Sequence, residues 1–213
     1  MRRPWPVGRL KSDGAFREMI EPMRTLFRSA ILLTMLAGSA ACAVSAAPDD
    51  QRPTLAPYIP TPQDVVDRML EVAEVTSKDT LFDLGCGDGR IVITAAKKYG
   101  AHAVGIDIDK DRISESKRNA RNAGVASLVR FEQGDILNAD VSGATVVTLY
   151  LVSSANLKLR PLLTKQLQPG SRIVSHAFGM GDWPPDKTDR FTDSRGDERV
   201  IYLWRTDGKV RTN

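Results

Sequence analysis

The sequence predicts an α/β fold in a single domain, built on a doubly wound, mostly parallel sheet that ends in an antiparallel hairpin. Three observations support this prediction. Short β-branched segments alternate with amphipathic segments between residues 61 and 205, a glycine-rich turn follows the first of these strands, and acidic residues end three successive strands. Alternating strands and helices are typical of a parallel sheet that helices cover on both faces.

A leader precedes this domain. Within residues 1–47, two arginines stand before an apolar run at 30–38, and small residues follow at 39–47. This order is typical of a secretory signal peptide, and the apolar run is short for a membrane-spanning helix. Met23 offers a second start of translation directly before the first of these arginines. We therefore expect segment 1–47 to export the chain or to tether it to a membrane.

A linker and a helix come next. Several prolines between residues 48 and 60 indicate an extended linker. Thr61 is expected to cap the first helix, with Pro62 at the first helical position. Apolar residues recur at helical spacing from Val65 to Ala73, so this helix should pack on the sheet.

The turn after the first strand is the most informative segment, and residues 83–90 read DLGCGDGR. Asp83 ends the strand Leu81–Leu84, and three glycines at alternate positions lead into a helix over 91–99. Glycine adopts positive φ without strain and lets a ligand approach the backbone closely. A dinucleotide fingerprint, G-x-G-x-x-G, would require glycine at position 90, which is Arg90. The turn therefore predicts a nucleotide-like ligand and disfavours NAD.

Two further acids follow the next two predicted strands. Asp107 ends the strand over 101–107, and a carboxylate there can accept hydrogen bonds from both hydroxyls of a ribose. Asp135 follows the strand over 128–132. Because the carboxyl ends of parallel strands share one edge of a sheet, these acids should converge with Asp83 on one ligand. The alternative is that Asp83 and Asp135 only cap turns.

The remaining segments complete the alternation and close the sheet. The apolar, β-branched run at 144–151 is typical of a central parallel strand. The other predicted elements are a charged helix at 110–123, a helix at 156–167, a strand at 171–176, a hairpin of 190–194 with 198–205, and a tail at 206–213.

Charge and composition restrict the partners. Segment 1–47 carries seven Lys and Arg against three acids, so residues 48–213 hold 23 basic and 23 acidic residues. A domain that binds nucleic acid normally has a basic surplus, so a nucleic-acid partner is disfavoured. The chain has two cysteines and two histidines, too widely spaced to indicate a disulfide framework or a metal site.

The G-x-G-x-G turn with its upstream acid resembles motif I of the class I, seven-stranded S-adenosylmethionine-dependent methyltransferases, whose sheet is Rossmann-like. The resemblance covers about residues 58–205. It implies S-adenosylmethionine as the cofactor, with an acid after the third strand near the adenine amino group. The implied cofactor-binding residues are Tyr58, Asp83, Gly85, Gly87, Asp88, Gly89, Asp107 and Asp135.

Residues 58–62, 83–90 and 175–183 also resemble bacterial relatives of the mitochondrial lysine methyltransferases that act on adenine nucleotide translocase and on the ATP synthase c-subunit. This resemblance implies a protein-lysine acceptor, with a membrane protein among the candidates. It places Tyr58 near the cofactor and Trp183 on a loop on the substrate side. The alternative for Trp183 is a stiffening role in a surface loop.

Tyr150 stands near the end of the fourth strand, where many amine and nucleobase methyltransferases carry Asn/Asp-Pro-Pro-Tyr. The chain reads TLYL at 148–151, so base N-methylation is disfavoured. We expect Tyr150 to line the pocket as a catalytic residue that orients an amine, or else to pack at the strand end.

Alternatives to a protein-lysine methyltransferase remain at this point. One is a non-catalytic protein that binds an adenosyl ligand, and another is an NAD(P)-dependent oxidoreductase. Export would also separate the domain from the cytosol, where S-adenosylmethionine is made. The chain is then an exported enzyme with an unknown cofactor supply, a tethered enzyme that faces the cytosol, or a former methyltransferase reused for binding.

Overall fold

The computed structural model of the chain describes residues 55–212. The predicted leader at 1–47, with Met23, and the first part of the predicted linker lie outside the described residues. Within the described range, no helix combines the length and the apolar character that crossing a membrane requires.

The described residues form helices and strands in alternation. The helices are α1 (Gln63–Val72), α2 (Arg90–Tyr99), α3 (Lys110–Asn122) and α4 (Ser153–Gln166), with a short 3-10 helix at Ile136–Asn138. The strands are β1 (Thr80–Leu84), β2 (His102–Asp107), β3 (Val129–Gln133), β4 (Val146–Leu149), β5 (Arg172–His176), β6 (Lys187–Thr192) and β7 (Glu198–Arg205).

One seven-stranded sheet organises the domain, in the order β3-β2-β1-β4-β5-β7-β6. Strands β1 to β5 run parallel, and β7 pairs antiparallel with both β5 and β6. This arrangement confirms the predicted mostly parallel, Rossmann-like sheet with a terminal hairpin. The strand order reverses between β1 and β4, and ligands of such sheets bind beyond the carboxyl ends of the strands at that point.

The core consists of two apolar layers, one on each face of the sheet. Leu81 in β1 belongs to the layer that α1 and α2 cover, with Val66 and Val92. Its neighbour Phe82 belongs to the opposite layer, with Leu159 of α4. Successive side chains of a strand point to opposite faces, so a strand buried on both sides is apolar throughout, as β4 is.

A buried ion pair stabilises the opposite, amino-terminal edge of the sheet. Arg172, the first residue of β5, donates from Nη2 to Oδ1 of Asp79, which lies just before β1. Asp79 also accepts hydrogen bonds from Thr145 Oγ1 at 2.7 Å and from the amide of Thr76 at 2.8 Å. This network is on the far side of the sheet from the strand ends at which a ligand is expected.

Three element boundaries differ from the sequence prediction. Pro62, not Thr61, occupies the cap position of α1, and no side chain caps that helix. Helix α4 begins at Ser153 rather than at 156, again without a capping side chain. Strand β6 begins at Lys187 and ends before Asp193, whose carboxylate accepts 2.9 Å hydrogen bonds from the amides of residues 195 and 197 and so starts the turn.

Candidate active site

A cavity of about 390 Å³ lies at the carboxyl ends of the parallel strands. Asp83 lies near the end of β1, Asp107 ends β2 and Asp135 follows β3, and all three line this one cavity. Its volume is within the range of small-molecule and cofactor sites. The fold thus brings together three acids that are far apart in the sequence.

The glycine turn forms the floor of the cavity. The amides of Gly85 and Cys86 donate to the carbonyl of Ile106 at 2.8 and 3.1 Å, which ties the turn to β2. Gly87 has a φ of +53°, and a Cβ built there would lie 2.5 Å from Cε2 of Tyr58. Glycine at this position therefore allows the Tyr58 ring to lie directly on the turn.

Gly89 has a different role from the one that the resemblance implied. It does not line the cavity but caps α2 with a φ of +82°. A Cβ at Gly89 would lie 2.8 Å from the ring of Phe131 in β3 and 2.8 Å from Cβ of Ser116 in α3. The structure thus places Gly89 in the packing between α2, α3 and β3.

Asp83 is the most buried acid of the cavity, with 3% of its surface exposed. Its Oδ1 accepts a 2.7 Å hydrogen bond from Thr148 Oγ1. Burial raises the pKa of Asp83 to about 7; the hydrogen bond from Thr148 opposes this shift, and the charges of Asp107 and Asp88 add to it. A carboxylate in this environment is stabilised by a nearby cation, and S-adenosylmethionine carries both an ammonium and a sulfonium.

Asp107 is held in a fixed orientation by the backbone. Its Oδ2 accepts from the amide of Gly87 at 2.8 Å, and its Oδ1 accepts from the amide of Asp109 at 3.0 Å. Each carboxylate oxygen can accept a further hydrogen bond, so both stay available to a pair of ligand hydroxyls.

Asp135 both caps a turn and lines the cavity. Its Oδ1 accepts from the amide of Leu137 at 2.9 Å, which starts the 3-10 helix, and Asn138 Nδ2 donates to its Oδ2 at 3.3 Å. The two roles considered from the sequence therefore coexist in this residue.

Asp88 is paired within the cavity wall. Arg90 donates from Nε to Oδ1 of Asp88 at 3.0 Å and from Nη2 to Oδ2 at 2.6 Å. Nη1 of the same guanidinium donates to the carbonyl of Thr61 at 2.7 Å. The pair thus links the glycine turn to the segment before α1, which carries Tyr58.

Tyr58 covers part of the cavity. The guanidinium of Arg112, in α3, lies 4.3 Å from the centroid of its ring, at cation–π distance. Arg112 and Lys158 of α4 also line the cavity, although sequence reasoning did not select them. Both lie on helices whose charged residues read as solvent-exposed faces, and only the fold turns them towards the site.

Tyr150 follows β4 and lines the cavity as expected. Its ring packs against His176, with centroids 4.2 Å apart, and against Phe178, with centroids 6.4 Å apart. These aromatic groups form a wall beside the ends of β4 and β5.

Trp183 lies in the core rather than on a substrate-side loop. Its side chain is 8% exposed and packs against Trp204 of β7 at 6.1 Å between ring centroids. The Arg211 guanidinium covers its ring at 4.2 Å, and its carbonyl accepts a 3.0 Å hydrogen bond from Trp204 Nε1. It does not line the cavity.

The residues of the cavity fit S-adenosylmethionine. A buried carboxylate matches its positive charges, a backbone-anchored carboxylate offers two acceptors to its ribose, and the side-chain-free turn leaves room for close approach. Within residues 55–212, no three His, Cys, Asp or Glu side chains form a group that could hold a metal ion.

Comparison with known proteins supports this fit. The model of the ANTKMT methyltransferase domain matches residues 83–187. A protein-lysine N-methyltransferase of Saccharolobus islandicus is 44% identical over 149 residues, which are 70% of this chain and 92% of the relative. The human lysine N-methyltransferase named for the ATP synthase C-subunit is 28% identical over 191 residues, which are 85% of this chain and 81% of the relative.

A solved structure adds the cofactor. An RNA methyltransferase from Salinibacter ruber, in complex with S-adenosyl-L-homocysteine, is 53% identical, with a TM-score of 0.68. The match covers 73% of this chain and 98% of that chain. The matched family and this complex favour an S-adenosylmethionine-dependent enzyme over an NAD(P)-dependent oxidoreductase or a non-catalytic binding protein. The chain belongs to the ANTKMT methyltransferase family of class I enzymes, with S-adenosylmethionine as its methyl donor.

Proposed function

We propose that this enzyme methylates lysine side chains of a protein acceptor. One observation carries the proposal: Tyr150, next to the end of β4, lines the same cavity as Asp83 and the glycine turn. An aromatic face at this wall suits the ammonium or amine of a lysine, because cations are attracted to the faces of aromatic rings. The names of the Saccharolobus and human relatives support the same acceptor.

The chain contributes chiefly by positioning. When bound, S-adenosylmethionine supplies a methyl group activated by its sulfonium. Asp107 and Asp135 would hold the adenosyl part, and Asp83 would balance the positive charge. Tyr150 would orient the acceptor, whose neutral amine forms the new N–C bond as the C–S bond breaks. Such displacement needs no nucleophile from the protein, because alignment and electrostatic complementarity supply the rate enhancement.

RNA is the competing acceptor, because the Salinibacter protein is described as an RNA methyltransferase. The charge balance of this chain favours protein instead. Residues 48–213 carry 23 basic and 23 acidic residues, without the surplus of positive charge that phosphate contacts normally require.

Incorporation of tritiated methyl groups distinguishes these acceptors. The full-length chain would be incubated with labelled S-adenosylmethionine and, separately, with membrane proteins, soluble proteins and total RNA from the host. We expect label that protease releases and that co-migrates with methylated lysine after hydrolysis. Label that ribonuclease releases would overturn the proposal. Asp107→Ala should abolish labelling, whereas Asp140→Asn, at an exposed carboxylate outside the cavity, should retain it.

We further propose that segment 1–47 brings the enzyme to a membrane and that its acceptor is a membrane protein. The leader-like composition of this segment supports the location, and the name of the human relative supports the acceptor. Fractionation of a tagged chain with N-terminal sequencing tests the location. An intact N-terminus in the membrane fraction is expected for a tether, whereas a mature start near residue 47 in a soluble exported fraction excludes one.

A further inference from the structure

The chain leaves β5 through a γ-turn centred on Ala177. The amide of Phe178 donates to the carbonyl of His176 at 2.8 Å, and Ala177 has a φ of 65°. Turns of this hand are rare and strained for a residue that carries a Cβ, so the surrounding structure must enforce them.

Two buried polar side chains hold this turn. Ser175 Oγ donates to the carbonyl of Phe178 at 2.7 Å, and Asn156 Nδ2 of α4 donates to Ser175 Oγ at 3.1 Å. Asn156 Nδ2 also reaches the carbonyl of Phe178 at 3.1 Å. The strained backbone is therefore tied both to β5 and to α4.

The turn presents His176 and Phe178 to the same partner. His176 is 1% exposed, and its ring lies 4.2 Å from the Tyr150 ring, with 32° between the planes. The Phe178 ring lies 6.4 Å from Tyr150, with 28° between the planes. Aromatic pairs at such distances have preferred geometries, so each ring restricts the other.

The imidazole is an unusual choice for this packing position. Its Nδ1 is buried and has no hydrogen-bond partner within residues 55–212. Burial, reinforced by the charge of Arg199, lowers the pKa of His176 to about 4, with Asp193 opposing the shift. The ring is therefore neutral near pH 7 and adds no positive charge beside the wall that faces the acceptor.

We propose that His176 is a positioning residue for methyl transfer, which acts by fixing the plane of the Tyr150 ring at the cavity wall. The inference rests on the proposed function, in which Tyr150 contacts the acceptor. His176 itself does not line the cavity. Its effect on transfer must therefore pass through Tyr150.

The test compares two ligands of the full-length chain by calorimetry: S-adenosylhomocysteine and sinefungin, which carries an amine where the cofactor carries the transferable methyl group. For His176→Ala we expect unchanged affinity for S-adenosylhomocysteine and about tenfold weaker binding of sinefungin, as couplings between contacting residues allow. His176→Phe, which keeps a ring, should restore the ratio of the two affinities. Leu163→Ala, a cavity variant elsewhere in the core, should leave the ratio unchanged.

A double-mutant cycle identifies the route of the effect. In a Tyr150→Ala background, His176→Ala should cause no further loss of sinefungin affinity or of methyl incorporation. An equal loss in both backgrounds would overturn the proposal, as would a wild-type ratio in His176→Ala. If His176→Ala does not fold, Ser175→Ala, which removes one bond that holds the turn, takes its place with the same expected direction.

The ligand ratio does not depend on the identity of the acceptor. If the label enters RNA while the cycle shows coupling through Tyr150, the proposed lysine acceptor fails and the positioning role stands. If protein lysine is labelled and no coupling is found, the positioning role fails alone.

Discussion

The amide of Gly87 donates a 2.8 Å hydrogen bond to Oδ2 of Asp107, which lies 20 residues later in the chain. The bond joins the glycine turn after β1 to the end of β2, and it fixes the carboxylate at the cavity. The spacing that suggests an adenosyl ligand in the sequence therefore corresponds to a direct contact in the fold. The site is assembled by backbone hydrogen bonds before any ligand binds.

Asp107→Ala should weaken binding of S-adenosylhomocysteine. Loss of hydrogen bonds to a charged acceptor costs about 1.5–3 kcal/mol, which is about a 10- to 150-fold rise in Kd. Calorimetry on the full-length chain measures this change. Asp140→Asn is the control, and equal affinities of Asp107→Ala and the wild type would exclude a role for Asp107 in holding the ribose.

Gly87→Ala should lose both stability and ligand affinity. The positive φ of +53° strains any residue with a Cβ, and the added methyl group would displace the Tyr58 ring. Gly124→Ala is a matched control, because Gly124 has a φ of +74° and open space around its Cβ position. Both variants should lose about 1 kcal/mol or more of unfolding free energy in urea titrations. Only Gly87→Ala should bind S-adenosylhomocysteine more weakly, and equal affinities in the two variants would contradict this account.

The affinity for S-adenosylhomocysteine should rise with pH and level off above about 7. Burial raises the pKa of Asp83 to about 7 in the free protein. The ligand ammonium favours the ionised carboxylate and lowers that pKa, so the complex holds fewer protons than the free protein below about pH 7. Deprotonation then accompanies binding, and higher pH favours it. Calorimetry across this range tests the slope, which Asp83→Asn should abolish and Asp140→Asn should preserve.

Arg172→Met should destabilise the fold without changing the site. It leaves Asp79 as a buried carboxylate without its cation, and breaking a buried pair in this way costs about 3–5 kcal/mol. Because this pair lies at the amino-terminal edge of the sheet, folded protein should bind S-adenosylhomocysteine with wild-type affinity. Urea denaturation and calorimetry measure the two effects separately. A large loss of affinity in the folded variant would show coupling across the sheet that this account does not include.

The architecture could be predicted from the sequence because local patterns encode it. The apolar run at 144–151 indicates a strand buried on both faces, and β4 lies at the centre of the sheet. The positions of Asp83, Asp107 and Asp135 near strand ends predict their convergence, because parallel strands bring their carboxyl ends to one edge.

Other features depend on contacts that no local pattern reports. Gly87 and Gly89 look equivalent in the sequence, yet the first faces Tyr58 and the second faces Phe131. Trp183 stands in a proline-containing loop that reads as exposed, and it is buried because Trp204 and Arg211 pack against it. The role of Arg112 requires the segment around Tyr58 to fold back over the turn.

A crystal structure of the full-length chain with S-adenosylhomocysteine tests the central claim most directly. We expect one ligand in the cavity, with the Asp107 carboxylate within hydrogen-bond distance of both ribose hydroxyls and Asp135 within reach of the adenine amino group. A ligand bound elsewhere, or bound in the cavity with both carboxylates turned away from it, would contradict the assignment.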